Sequence, residues 1–152
     1  MAGRFFDDLS VGQVFKHEIR RTITETDNVW FSALTHNPAY LHLDEEYCRT
    51  ETEFGQRIVN SAFLLALMVG ISIQETTLGT AVANLGWDDV RFPKPVFHGD
   101  TIRVETEIVD LRESKSRPGQ GIVTFLHRAY NQRGELVGHC KRMGLQLKRP
   151  AQ

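Results

Sequence analysis

The stretch Ile58–Ile73 constrains this chain more than any other. It is apolar nearly all round, not along one stripe, which predicts a helix buried on most sides. Its densest part, Ala62–Val69 followed by Ile71 and Ile73, falls short of the roughly 18 residues that a membrane span needs. The expectation is therefore a core helix. Thr77-Leu78-Gly79-Thr80 ends it.

The flanking segments show how such a helix could be covered. A strand is expected from about Val14 to Ile23, with Phe15, His17, Ile19, Arg21 and Ile23 on one parity. Thr24-Glu25-Thr26-Asp27 has the form of a capping box and predicts a short helix through Val29, Trp30, Phe31 and Leu34. Thr35–Asp44 reads as a loop around Asn37-Pro38, and Glu45–Thr52 as a second short helix. After the long helix the pattern is β. Thr80–Arg91 gives one strand or a pair, broken by Pro93 and Pro95. Val96–Asp100 is a turn. Thr101–Asp110 alternates, with Ile102, Val104, Thr106 and Ile108 on one side. Ser114–Gln120 is a polar loop, Gly121–Tyr130 a strand, Asn131–Gly134 a hairpin turn, and Glu135–Leu147 the returning strand. The packing solution is α+β: an antiparallel sheet curled round one long helix. One end of that helix and an open sheet edge would need a second copy of the chain as cover.

The chain has 152 residues, enough for one domain over 1–152. With 18 basic and 19 acidic residues its net charge is −1, so neither nucleic acid nor an anionic membrane is expected as a partner. Cys48 and Cys140 lie far apart and no CxxC occurs. That argues for reduced thiols in a cytoplasmic protein, without a disulfide or zinc site. Acidic residues at Asp7 and Asp8 disfavour a signal peptide.

Three clusters could carry chemistry. Thr35–Asp44 holds two imidazoles, an amide, a phenol and a carboxylate, and imidazole is the side chain best suited to proton transfer near neutrality. A metal site from His36, His42 and Asp44 is disfavoured, because so short a segment can hardly aim all three at one ion. Asn60 and Ser61 stand at the start of the long helix. There, free N–H groups could stabilise an oxyanion, or Asn60 or Ser61 could simply cap the helix. Lys115 and Arg117 in a Gly/Pro-bearing loop, and Arg91 and Lys94 beside Pro93 and Pro95, could grip phosphate or be solvated surface.

These segments resemble a known family. The MaoC-like dehydratases, including the R-specific enoyl-CoA hydratases, carry Gly-Asp-x-Asn-Pro-x-His-x-Asp. An Ile-x-His-Gly opens their central helix, and a Phe-x-x-Pro-Val-x-x-Gly-Asp turn follows. This chain has Thr35-His36-Asn37-Pro38-Ala39-Tyr40-Leu41-His42-Leu43-Asp44, then Ile58-Val59-Asn60-Ser61, then Phe92-Pro93-Lys94-Pro95-Val96-Phe97-His98-Gly99-Asp100. The resemblance runs from about Phe6 to Lys148. It implies a hot-dog fold and hydration of an enoyl-CoA thioester, or the reverse dehydration, with no cofactor and no metal. The chain departs from the family at two places. Asn37 stands where the family has an Asp five residues before the catalytic His, which His42 matches. Ser61 stands where the family has a Gly whose N–H faces the thioester oxygen. The combination resembles a subgroup near the mesaconyl-CoA hydratases, which handle branched, dicarboxylic C4–C5 acyl groups. The resemblance makes His42 and Asn37 catalytic candidates, Asn60 and Ser61 substrate-binding ones, and Arg91, Lys94, Lys115 and Arg117 candidates for CoA. The uncovered sheet edge, with the ligand groove half-built in one domain, leads to the expectation of a homodimer or higher homo-oligomer. Two alternatives stay open: a non-catalytic acyl-CoA binder or supporting subunit, suggested by Asn37, and a hot-dog thioesterase, disfavoured because no Asp or Glu lies between Phe54 and Gln74.

Overall fold

The computed structural model describes residues 3–150, so Met1 and Ala2 of the expected N-terminal reading lie outside the described residues. In chain order the elements are a 3-10 turn at Phe6–Asp8, β1 (Val14–Thr22), α1 (Glu25–Leu34), α2 (Tyr40–Leu43), α3 (Glu45–Glu51), α4 (Ser61–Thr76), β2 (Ala81–Arg91), β3 (Thr101–Glu113), β4 (Gln120–Tyr130) and β5 (Leu136–Leu147). The five strands form one antiparallel sheet in the order β1-β3-β4-β5-β2. This is the expected α+β hot-dog arrangement, with α4 lying on the sheet's inner face.

The inward face follows from alternation. In β3, Ile102, Val104, Thr106 and Ile108 are buried; in β4, Val123, Phe125, His127 and Ala129 are. From α4, Leu64, Met68 and Ile71 meet Ile102, Val104 and Ala129 in the main apolar cluster, while Ile108, Val123 and Phe125 form a second cluster with Leu9. Burying each such side chain is worth about 1.5–3 kcal/mol. Gly138 on β5 lets Leu64 and Met68 approach, since a Cβ there would lie 3.3 Å from Leu64 and 3.4 Å from Met68. Gly121 on β4 is required for a similar reason: the Phe6 ring occupies the place of its Cβ, 2.2 Å away.

Four expectations are corrected. The helix begins at Ser61, not Ile58, because Ile58 and Val59 are taken by the Phe97 and Val96 backbone as an extended strap. α4 is not buried on most sides: Ala62, Ala66 and Gly70, spaced by four, remain exposed. Thr35–Asp44 is not all loop, since α2 occupies Tyr40–Leu43. The single parity expected of β1 is broken: five residues of β1, Lys16 to Arg20, are set against the three of β3 from Glu105 to Arg103. The irregularity turns Ile19 outward while His17 stays buried. The capping box at Thr24 and Asp27 forms as expected.

The core also holds a line of polar side chains. Arg142 Nε donates to His127 Nε2 at 3.1 Å, so the His127 proton sits on Nδ1. That proton goes to Thr106 Oγ1 at 2.8 Å. The Thr106 hydroxyl then donates to His17 Nε2 at 2.8 Å, and His17 Nδ1 faces the Glu75 carboxylate. Burial, then the Arg142 charge, holds His127 well below the ordinary imidazole pKa, and it is neutral.

Candidate active site

Two short helices and the strap converge on one carbonyl. Asn28 and Ser32 sit one turn apart on the inner face of α1, both fully buried. Asn28 Nδ2 donates to Ile58 O at 3.1 Å and to His98 Nε2 at 2.9 Å, with a longer contact of 3.4 Å to His42 O. Its Oδ1 accepts from the Asn60 N–H at 2.8 Å. One amide therefore ties α1 to the strap, to the end of α2 and to the β2–β3 connection.

The same Ile58 carbonyl accepts from His42 Nδ1 at 2.9 Å. A carbonyl only accepts, so the His42 proton is on Nδ1 and its Nε2 presents a lone pair. His42 is half-buried on α2, which places it beside the strap. Asn37 uses Oδ1 to accept from the Ala39 N–H at 3.0 Å, closing the turn around Pro38, so only its Nδ2 remains to donate outward. Asn60 is the N-cap of α4: its Oδ1 accepts from the Ala62 N–H at 3.0 Å. Ser61 is the first residue of α4, and its N–H has no acceptor within the helix. A pocket of about 250 Å3 opens there, lined by Ile58, Val59, Ser61, Leu64 and the Phe92–Val96 segment.

The cationic candidates separate. Lys94 borders the pocket and pairs with Glu135 at 2.6 Å. Arg91 pairs with Asp89 at 3.4 Å. Lys115 and Arg117 are exposed in the β3–β4 connection. The structure thus brings His42, Asn37, Asn60 and Ser61 to one region, and leaves the Lys115–Arg117 loop on a different connection. Asp44 is the N-cap of α3, accepting from Tyr47 N at 2.9 Å, and Thr35 donates to Phe31 O at 2.8 Å. His36 is exposed at a positive φ of 52°.

Sequence reasoning missed Asn28, His98 and Arg57 as parts of this region. Arg57 lies between two carboxylates, Glu25 and Glu45, each at 2.6 Å, and so clamps α1 to α3. His98 is held below the ordinary imidazole pKa by burial and by the Arg57 charge. The available signal was the polar pair Asn28 and Ser32, four apart on a helix that must bury one face.

The fold and these residues define a hot-dog domain with a histidine-bearing segment over the start of its central helix. Comparison with known proteins agrees. The family described as "MaoC like domain" matches residues 8–130, and the chain belongs to that family. A mesaconyl-CoA hydratase of Cereibacter sphaeroides is 34% identical over 136 residues, covering 90% of this chain and 39% of that protein. An (R)-specific enoyl-CoA hydratase of Aeromonas caviae is 33% identical over 129 residues, covering 85% of this chain and 89% of that protein. A Mycobacterium tuberculosis protein described as having a double hotdog fold superposes with a TM-score of 0.88 at 26% identity, covering 99% of this chain and 46% of that one. The chain spans only 39% and 34% of the length of two mesaconyl-CoA hydratases that it matches.

Proposed function

We propose that this domain adds water to an enoyl-CoA thioester, or removes it from the 3-hydroxyacyl product, with a branched or dicarboxylic C4–C5 acyl group as the preferred substrate. The observation that carries the reading is the His42–Ile58 hydrogen bond, which fixes the tautomer and leaves Nε2 free as a base beside the first turn of α4. The names of the relatives support the same chemistry.

In this reading His42 Nε2 takes a proton from water as the oxygen bonds to the β-carbon. The electron pair of the double bond moves towards the thioester, and the Ser61 N–H stabilises the enolate oxygen that develops. The imidazolium then returns the proton to the α-carbon, so one water is added in all. Asn37 cannot accept a proton; its Nδ2 holds the water oxygen. Asn60 keeps the first turn in place. Lys115 and Arg117 bind CoA phosphate as exposed charges. Lys94 and Arg91 contribute less, since each already has a carboxylate partner.

The active form is a homodimer, in the cytoplasm. Its support is unpartnered surface: Val82, Leu85 and Trp87 on the edge strand β2 are 39%, 49% and 47% exposed, and one face of α4 is bare. Sedimentation at micromolar concentration should give a dimer, and a clean monomer would remove that part of the proposal. Among the described residues, no helix is long and apolar enough to cross a membrane. The activity itself is tested by loss of enoyl-thioester absorbance over a panel of enoyl-CoA substrates. If His42→Ala leaves the rate unchanged, His42 is not the base; if the wild type turns over no enoyl-CoA of the panel, the domain is an acyl-CoA binder instead.

A further inference from the structure

The Ile58 carbonyl accepts from two side chains, His42 Nδ1 at 2.9 Å and Asn28 Nδ2 at 3.1 Å. The Ile58 N–H is spent on Leu41 O at 3.0 Å, so these two side chains settle where the carbonyl points. They are unequal holds. His42 rides on a helix of four residues and is half-buried. Asn28 is fully buried on α1, a helix of ten residues fixed at its start by the Thr24 cap.

The backbone around Asn28 decides which way its amide faces. The Asn60 N–H can only donate, so the atom 2.8 Å from it is Oδ1. The Ile58 carbonyl can only accept, so the atom facing it is Nδ2. That leaves an Nδ2 hydrogen for His98 Nε2 at 2.9 Å, which must be unprotonated, with the His98 proton on Nδ1. The oxygen and both hydrogens of the amide are therefore engaged, and turning it over would set donor against donor at Asn60. Burial and the Arg57 charge favour the neutral form of His98, against the opposing pull of Glu25 and Glu45.

We propose that Asn28 is a positioning residue: it holds the Ile58 carbonyl on His42 Nδ1, and so keeps His42 Nε2 free of its proton. Being fully buried, it acts only through that carbonyl. A neutral amide suits the task. It supplies a donor about 6 Å from His42 Nδ1, two hydrogen bonds end to end, without adding a charge there. A carboxylate at the same place favours the imidazolium, and takes the base out of use at a higher pH. The effect on rate rests on the hydration reading; the effect on the tautomer does not.

Nitrogen NMR of the imidazole rings tests the assignment without any turnover. In the wild type, above the imidazole titration range, His42 and His98 should each carry one proton, on Nδ1. A His98 proton on Nε2 means that Asn28 faces it with Oδ1, and overturns the proposal. Asn28→Ala should leave His42 as a mixture of tautomers. In that variant kcat should fall about tenfold or more with KM within about twofold, because a misplaced base loses rate and not ground-state affinity. Thr106→Val weakens the core by removing a hydroxyl bonded to His17 and His127, and should change neither the His42 tautomer nor kcat. Asn28→Asp keeps an oxygen for the Asn60 N–H. It should raise the pH at which His42 protonates, read in the spectra, and with it the acid limb of kcat/KM. A folded Asn28→Ala protein whose His42 keeps its proton on Nδ1 overturns the proposal, whatever its rate. So does a loss carried by KM with kcat intact, or a His42 titration that Asn28→Asp leaves in place. If Asn28→Ala fails to fold, Asn28→Asp and the wild-type spectrum decide. If the wild type turns over no enoyl-CoA, the hydration reading fails and the spectra still decide this one.

Discussion

Two groups of histidines in this molecule are wired in opposite senses. His17 and His127 lie in the sheet's inner face, and both nitrogens of each ring have partners. His42 sits on a four-residue helix, half-buried, with Nδ1 tied down and Nε2 open. Burial and the Arg142 charge drive His127 of the first pair well below its ordinary pKa, yet its ring has no free lone pair to offer. A perturbed pKa marks a buried environment. A vacancy in the hydrogen-bond set marks a place where a reactant can bind.

The sharpest way to break the comparison is to remove one imidazole from each group. His42→Ala should lower kcat about 10²-fold or more while leaving the unfolding midpoint nearly unchanged. Steady-state rates alongside a urea melt check both halves. Asn37→Ala should cost less than His42→Ala, because it removes a water contact and not the base.

In the core the signs reverse. Thr106→Val keeps the shape but leaves His17 Nε2 and His127 Nδ1 unpartnered, and should cost about 1–3 kcal/mol of stability. The activity of the remaining folded protein should hold. A variant as stable as wild type would mean that the polar line contributes nothing.

Acid sharpens the contrast further. His127 has a folded pKa below its unfolded one, so the unfolded chain takes up the proton first. Stability is therefore full above the ordinary imidazole range and falls as pH drops through it, by up to about 1.4 kcal/mol per pH unit for one proton. His98, also lowered, adds in the same direction. Urea unfolding at a series of pH values between 8 and 5 checks the slope, and His127→Leu should flatten it.

The smallest effect is expected at the surface. Replacing Lys115 and Arg117 together by Ala should raise KM for acyl-CoA a few-fold at constant kcat, as loss of uniform binding does. An unchanged KM would clear that loop of any ligand role.

Much of this was legible before the structure. The alternation in Thr101–Asp110 and the capping box at Thr24 are local patterns, and local patterns survive folding. The resemblance at His42, with Asn37 standing five residues before it in place of an Asp, was enough to single out the two catalytic candidates. What escaped were contacts between distant segments. Asn28 looks like any polar residue of a short helix until the strap Ile58–Asn60 arrives thirty residues later to bond it. Thr106 and His127 became partners only through the β3–β4 register. Ile58 and Val59 read as helix because they are apolar, and were taken from it by the Phe97 and Val96 backbone.

The strand order has a consequence for how the chain is made. β3, β4 and β5 are consecutive neighbours and can pair as each emerges from the ribosome, but β2 is synthesised first and must wait for β5, the last strand, before it has any partner. Until then β2 presents Val82 and Trp87 to water with no strand beside it, while α4 can already lean on β1, β3 and β4. Sheets that close between early and late segments fold slowly, and open edges invite pairing with other chains. The nascent chain is therefore at its most adhesive during the interval from β2 to β5. Pulsed hydrogen exchange on refolding should show the β3–β5 amides protected first, with those of β2 following.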